Sequence, residues 1–171
     1  MWLRDSLLMS TDAGYGFVST FEDLLSKNKA GKAAMSVPKG ARIIVPQHIT
    51  KVEETWLVAV SNEGRMLVFP LQDLPQLARG KGNKIISISS TRVANREEFM
   101  VACSLVSESC ELLVHSGKRY LRLKASDLVH YRGERGRRGN KLPRGFQKVD
   151  YLAVESEAST EVDAESIDTA S

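Results

Sequence analysis

Residues 62–84, NEGRMLVFPLQDLPQLARGKGNK, contain a glycine turn, an apolar stretch, an Asp-Leu step and a basic, glycine-rich loop, in that order. The same order occurs in residues 12–32, DAGYGFVSTFEDLLSKNKAGK, and in residues 116–141, SGKRYLRLKASDLVHYRGERGRRGNK. The turn glycines, Gly14, Gly64 and Gly117, recur about every 50 residues. Strand-rich repeats of this length are typical of propeller blades. The chain is therefore predicted to be an all-β, propeller-like array of about three repeats.

Two further landmarks keep the same register in all three repeats. The Asp-Leu steps follow each turn glycine at similar spacing and begin at Asp23, Asp73 and Asp127. The loop glycines come next and are Gly31, Gly82 and Gly136. Because aspartate is a favoured helix N-cap, we expect each Asp to open a short helical turn before its basic loop.

The residues around each glycine turn predict β-hairpins. Apolar residues precede each turn, and residues 15–21, 65–71 and 118–124 are the predicted return strands. In the third return strand Leu121 and Leu123 alternate with polar residues, which predicts one buried face and one basic, solvated face. Further strands are expected at 33–37, 41–46, 85–88, 99–106 and 147–154. This makes about four strands in each repeat, with repeats at 1–46, 47–100 and 101–154. The polar segment 89–98, which includes Glu97 and Glu98, is interpreted as a solvated surface loop.

The charge of the chain is unevenly distributed. The whole sequence of 171 residues has a net charge of +3, but residues 155–171 contain six acids and no base. The remaining 24 bases and 15 acids give residues 1–154 a net charge of about +9. A basic body predicts a polyanionic partner. The acidic tail is predicted to be disordered, and it acts either as a built-in competitor for that partner or as an aid to solubility.

The sequence argues against several classes of protein. No apolar stretch is long enough to span a bilayer, and no secretory signal is visible. Cys103 and Cys110 are interpreted as reduced thiols, with a structural disulfide as the less favoured alternative. The three histidines show no ligand-like spacing, and we find no nucleophile, acid-base pair or phosphate-binding P-loop. The chain is predicted to have no metal site and no active site.

The basic glycine loops are the candidate functional residues. Glycines allow a backbone to approach a phosphate closely, while Lys and Arg neutralise its charge. The predicted phosphate contacts are Lys27, Lys29, Lys32, Arg79, Lys81, Lys84, Arg132, Arg135, Arg137, Arg138, Lys141 and Arg144. A second set on the solvated face of a strand is Tyr120, Arg122 and Lys124. Charge runs are often only a solvated surface, but their recurrence at one repeat position favours a track for nucleic acid.

The repeats also carry a resemblance to a known family. The runs STDAGYGFVSTFEDLLSKNKAGKA, GRMLVFPLQDLPQLARGKGNKIISI and ERGRRGNKLPRGFQKVD strongly resemble the C-terminal domain of the A subunit of bacterial DNA topoisomerase IV, and the gyrase A subunit has the same repeat. The resemblance covers roughly residues 7–152. It implies a β-pinwheel, a partial disc of four-stranded blades that exchange strands with their neighbours. Residues 1–154 would form this disc and residues 155–171 the disordered tail.

The resemblance also implies a function and partners. The domain would bind and bend double-stranded DNA without reading its sequence, and would capture the duplex that the enzyme transports. The expected partners are DNA, the rest of topoisomerase IV (the catalytic core of the A subunit, the ATPase B subunit) and, in some species, the bacterial condensin. ATP and magnesium would serve the whole enzyme, with no cofactor in this chain. The expected location is cytoplasmic and nucleoid-associated, with full-length relatives peripheral at the inner membrane.

The chain departs from the family pattern in three ways. It contains neither the catalytic tyrosine domain nor the ATPase subunit, so the chain is not expected to cleave DNA. Three repeats are found where topoisomerase IV relatives usually have about five blades. Residues 79–82 and 134–139 match only part of the gyrase glutamine-arginine-glycine box, so we expect bending without a full wrap. The alternative function is a protein-interaction propeller that docks a partner such as the condensin; an RNA-binding barrel would need stacking aromatics on one face.

Overall fold

The computed structural model describes residues 5–23 and 35–156, in which eleven strands form three antiparallel sheets. The first sheet has the order β3-β1-β2-β6 and is built from β1 (Ser6–Thr11), β2 (Tyr15–Thr20), β3 (Ile43–Ile49) and β6 (Asn83–Lys84). The second has the order β10-β5-β4-β7 and is built from β4 (Trp56–Ser61), β5 (Arg65–Pro70), β7 (Met100–Val106) and β10 (Asn140–Lys141). The third has the order β11-β8-β9 and is built from β8 (Cys110–Ser116), β9 (Arg119–Leu123) and β11 (Tyr151–Ser156). The all-β prediction and the three hairpins are confirmed.

Two of the sheets take their fourth strand from the following repeat. β6 pairs with β2, with Lys84 opposite Tyr15. β10 pairs with β5 in the same way, with Lys141 opposite Arg65. This exchange agrees with the pinwheel that the resemblance implies. Among the residues that the structure describes, no strand pairs with the free edge of β9, so the third sheet has three strands and not the four predicted.

Several predicted elements differ from those observed. Residues 85–88 are irregular backbone in which the three isoleucines are buried, because the short strand of this segment ends at Lys84. Residues 89–98, expected to be a surface loop, contain helix α1 (Ser90–Ala94). β11 starts at Tyr151 and extends through Ser156, into the segment predicted to be tail. Within 33–37, Met35 forms one isolated bridge to Gly80, and residues 33–34 and 157–171 lie outside the described residues.

The N-cap prediction for the Asp-Leu steps is wrong. Asp127 lies inside helix α2 (Ala125–Leu128), and its carboxylate Oδ2 accepts the backbone N–H of Lys124 at 3.0 Å. Asp73 ends the 3-10 helix Leu71–Asp73. A second 3-10 helix, Val129–Tyr131, follows α2. A short helical turn is therefore present at both positions, but neither aspartate is its N-cap, and only the Asp127 carboxylate accepts from the residue before the turn.

Two apolar cores hold the three sheets together. One face of the second sheet, including Leu57 and Phe69, packs with residues of the first sheet. The opposite face, including Val58 and Met66, packs with residues of the third sheet. Both cores follow from the alternation of side chains along β4 and β5, since successive residues point to opposite faces. The second sheet is thus buried on both faces and joins the other two.

The Gly-Asn-Lys sequence at 82–84 and 139–141 explains how the exchanged strands fit. Gly82 and Gly139 both have positive φ, 83° and 78°. A Cβ atom would clash with the carbonyl oxygen of Gly16 at the first position and with that of Met66 at the second. The structurally equivalent loop glycines are therefore Gly82 and Gly139, whereas the sequence pattern pairs Gly82 with Gly136.

Replacing Gly82 by alanine is expected to lower the free energy of unfolding by about 2 kcal/mol. Alanine would have to adopt a left-handed backbone conformation, and its Cβ would clash with the carbonyl oxygen of Gly16. Chemical denaturation measures this difference. Gly117→Ala is the matched control, since Gly117 also has positive φ but no atom lies within 4 Å of the position that a Cβ would occupy there. Equal losses in the two variants would show that close approach of the exchanged strand is not what requires glycine.

Candidate nucleic-acid interface

Strand exchange places basic residues along corresponding edges of the first two sheets. Lys84 lies on β6 beside β2, and Lys141 lies on β10 beside β5. The Nζ atom of Lys81 lies 4.4 Å from the centroid of the Tyr15 ring, which holds this ammonium group at the edge of the first sheet. The structure therefore brings Lys81 and Lys84 together and places Lys141 at the equivalent edge of the second sheet.

The third basic loop folds back on the second repeat. The Arg135 guanidinium donates from Nη1 to the carbonyl oxygen of Lys84 at 2.8 Å. Backbone hydrogen bonds run from Gly136 N to Ile85 O at 2.9 Å and from Ser87 N to Arg137 O at 3.0 Å. The third loop is thereby fixed against residues 84–87. Consequently, the second and third basic loops form one continuous surface.

A buried carboxylate anchors two arginines beside this surface. The Glu98 side chain is fully buried, and its two oxygens accept from Nη1 and Nη2 of Arg138 at 2.9 and 3.3 Å. Arg92 of α1 also donates to Glu98, at 3.2 Å, and pairs with Glu63. The Arg92 hydrogen bond lowers the pKa of the Glu63 carboxyl. Because Arg138 also donates to the carbonyl oxygen of Ser87 at 2.8 Å, it has a structural role.

These contacts surround an open cleft of about 990 Å³ between the first sheet and α1. Its cationic lining residues are Lys39, Lys81, Lys84, Arg92 and Arg138. Sequence reasoning missed Lys39 and Arg92. Lys39 stands alone in a turn, and Arg92 lies in a segment that was predicted to be a polar surface loop. Neither belongs to a charge run, so charge density gave no signal for them.

The other predicted contacts in the basic loops are dispersed. The Arg132 guanidinium lies 4.2 Å from the centroid of the Trp56 ring. Arg137 is exposed and pairs with Glu134 at 3.0 Å. Arg79 and Arg144 are exposed. Lys27, Lys29 and Lys32 lie outside the described residues. Each of these remains a prediction as a phosphate contact.

The second predicted set lies on the outer face of the third sheet. Arg122 pairs with Glu111 and with Glu155, and these hydrogen bonds raise the pKa of its guanidinium. Tyr120 is more than half exposed, at 56%, and Lys124 is exposed. The His115 ring stacks on Tyr151 at 4.2 Å and lies 5.8 Å from Tyr120. Since Arg122 is already paired with two carboxylates, this face presents aromatic rings more than free cations.

Metal binding, disulfide formation and membrane insertion are three other properties on which the structure bears. Within residues 5–23 and 35–156, no group of three or more His, Cys, Asp or Glu side chains could hold a metal ion. Cys103 and Cys110 are both free cysteines, and burial raises the pKa of the Cys103 thiol to about 11. No helix in this described part of the chain is long and apolar enough to cross a membrane.

The chain is similar in sequence and in fold to known proteins. The family model for the DNA gyrase C-terminal domain, a beta-propeller, matches residues 5–46 and 55–107. The chain belongs to this family. The A subunit of DNA topoisomerase 4 from Pseudomonas aeruginosa is 55% identical over 148 residues, which are 86% of this chain and 20% of that protein. The corresponding protein of Haemophilus influenzae is 48% identical over 154 residues, 89% of this chain and 20% of that protein.

The similarity extends to solved structures. The C-terminal domain of ParC from E. coli superimposes with a TM-score of 0.83 at 43% identity, covering 91% of this chain and 62% of that one. The three sheets are therefore blades of the beta-propeller fold of this family. The chain spans about a fifth of the length of the curated relatives named above.

Proposed function

We propose that this domain binds and bends double-stranded DNA without reading its sequence, as a non-catalytic part of a topoisomerase IV-type enzyme. One observation carries the proposal: the exchanged strands β6 and β10 place the basic loops of successive repeats at the same edge of successive blades. A repeated row of Lys and Arg can follow the phosphate backbone of a duplex. Membership of the gyrase C-terminal domain family supports it.

The proposed mechanism is electrostatic capture. Phosphates would contact cations on one blade edge after another, and the DNA would curve around the disc. Bending a duplex costs a few kcal/mol, which the additional contacts offset. In the whole enzyme, the domain would present the captured duplex to the catalytic core of the A subunit, while the ATPase B subunit would use ATP and magnesium to drive strand passage. The enzyme would thereby decatenate chromosomes and relax supercoils, acting at the nucleoid.

The affinity of the domain for a random duplex of about 40 base pairs is expected to fall steeply as salt rises. Each neutralised phosphate adds about 0.9 to the slope of log affinity against log salt. A fluorescence titration over a salt series measures this slope. We expect a steep slope that is the same for unrelated sequences. A shallow slope with millimolar affinity would contradict the proposal.

A second candidate is protein docking by the third blade, and the exposed aromatic residues favour it. Tyr120 and Tyr151 are 56% and 54% exposed and flank His115 on adjacent strands. Exposed aromatics are enriched at protein interfaces. A partner such as the bacterial condensin would dock here, with DNA contact as incidental. The salt series separates the two candidates, because docking alone predicts no strong binding to DNA.

A further inference from the structure

The cleft beside α1 draws its cations from all three repeats. Lys39 follows β2 in the first repeat, Lys81 and Arg92 belong to the second, and Arg138 comes from the loop of the third. Glu98 is the one carboxylate that lines the cleft in the described residues, and it is buried beneath Arg92 and Arg138. The cleft therefore has an excess of positive charge in a concave surface, where the potential is strongest.

The walls of this cleft are held in place before any ligand binds. Arg92 and Arg138 share Glu98 Oε1, at 3.2 and 2.9 Å, which fixes both guanidinium groups. Lys81 is held over the Tyr15 ring. The turn that carries Lys39 packs on the end of α1, where Arg96 donates to the Gly40 carbonyl oxygen at 3.1 Å. Such preorganisation reduces the entropy lost when a ligand is bound.

The cleft also offers neutral hydrogen-bond donors. Ser89, Ser90 and Thr91 line it together with the cations, and all three residues are exposed. Hydroxyl groups beside lysine and arginine are typical of sites that bind phosphate oxygens. The lining includes apolar residues such as Ile88 and Val93, but both of these are buried. Tyr15, Pro38 and Ala94 are half-buried and contribute apolar surface, so the lysines and the hydroxyl groups are the part of the lining that suits an anion.

We propose that this cleft holds a phosphate group of the DNA backbone and, when occupied, links the three repeats. This inference rests on the DNA-binding function proposed above and assigns it a specific anchor. Lys39 and Lys81, which have no ion pair in the described residues, contact the phosphate. Arg138 and Arg92 are neutralised by Glu98, Glu63 and Glu97, and their fixed side chains shape the base of the cleft. The third loop, which has the highest charge density in the sequence, therefore acts mainly by shaping this site.

The test compares two double variants that remove equal charge. Lys39→Ala with Lys81→Ala removes two of the three lysines that line the cleft, none of which has an ion pair in the described residues. Lys118→Ala with Lys148→Ala removes two exposed lysines of the third blade. Each is titrated with the same 40-base-pair duplex over a salt series. We expect roughly tenfold weaker binding and a salt slope reduced by about 1 for the cleft variant. The control variant should lose less than about threefold.

A second readout concerns the link between repeats. The duplex is expected to raise the unfolding temperature of the unmodified domain, and this increase should be smaller for the cleft variant than for the control. Equal losses of affinity in the two double variants would overturn the cleft site while leaving DNA binding in place. Failure of the unmodified domain to bind the duplex would overturn both proposals. Circular dichroism before titration checks that each variant is folded.

Discussion

Replacing Arg138 by glutamate is expected to lower the free energy of unfolding by about 3 kcal/mol, because it leaves a buried carboxylate without its main partner and places a second one beside it. Glu98 is fully buried, and Arg138 occupies both of its oxygens. The same guanidinium also satisfies the Ser87 carbonyl oxygen. Arg92 alone would remain to compensate Glu98. Urea denaturation followed by circular dichroism measures the change.

The neighbouring Arg137→Glu variant is the matched control. It makes the same change of charge one residue away, but the pair of Arg137 with Glu134 is exposed on both sides. Exposed pairs contribute about 0–1 kcal/mol, so little stability should be lost. If the two variants lose the same stability, the buried carboxylate does not anchor the third loop. The comparison also matters for function, since weaker DNA binding by Arg138→Glu would partly reflect altered structure.

The repeat, the hairpins and the all-β class were predictable because they depend on local signals. Gly14 and Gly64 have φ of 87° and 83°, as tight turns between strands require. Runs of apolar residues, such as 57–60 and 66–69 around Gly64, then mark the strands on either side. The exchanged strands were not predictable in the same way. β6 and β10 have two residues each, which is too short for any periodicity, and their partners lie about 70 residues away in sequence.

The candidate site was predicted less completely than the fold because charge density does not reveal how a charge is paired. Arg122 and Arg138 both appear as free cations in the sequence, but each is paired with carboxylates that are distant along the chain. Glu98 was interpreted as solvated surface, although its side chain is fully buried. Lys39 belongs to no charge run, yet the fold places it in a basic cleft. Tertiary contacts decide which cations are available.

The second large effect is expected in the core: Phe69→Ala should lower the free energy of unfolding by about 4 kcal/mol, the usual range for deleting a buried aromatic ring. Phe69 is fully buried between the first and second blades. Its neighbour on β5, Val68, points into the other core, between the second and third blades. Disruption of β5 should therefore weaken both cores. Val45→Ala, at a side chain that is 80% exposed, should change stability by less than about 0.5 kcal/mol.

The shape of the unfolding curve tests the coupling between blades. Trp56 begins β4 and packs against the core shared with the third blade, so tryptophan fluorescence reports on that interface when the other tryptophan is replaced, as in a Trp2→Phe background. Circular dichroism reports on all the strands. If the second blade joins the other two into one cooperative unit, both signals should shift together in Phe69→Ala and remain coincident. If the circular dichroism midpoint shifts while the Trp56 midpoint does not, the two cores unfold independently. A phosphate in the cleft could then not stabilise the three repeats as one unit, and that part of the cleft proposal would be wrong.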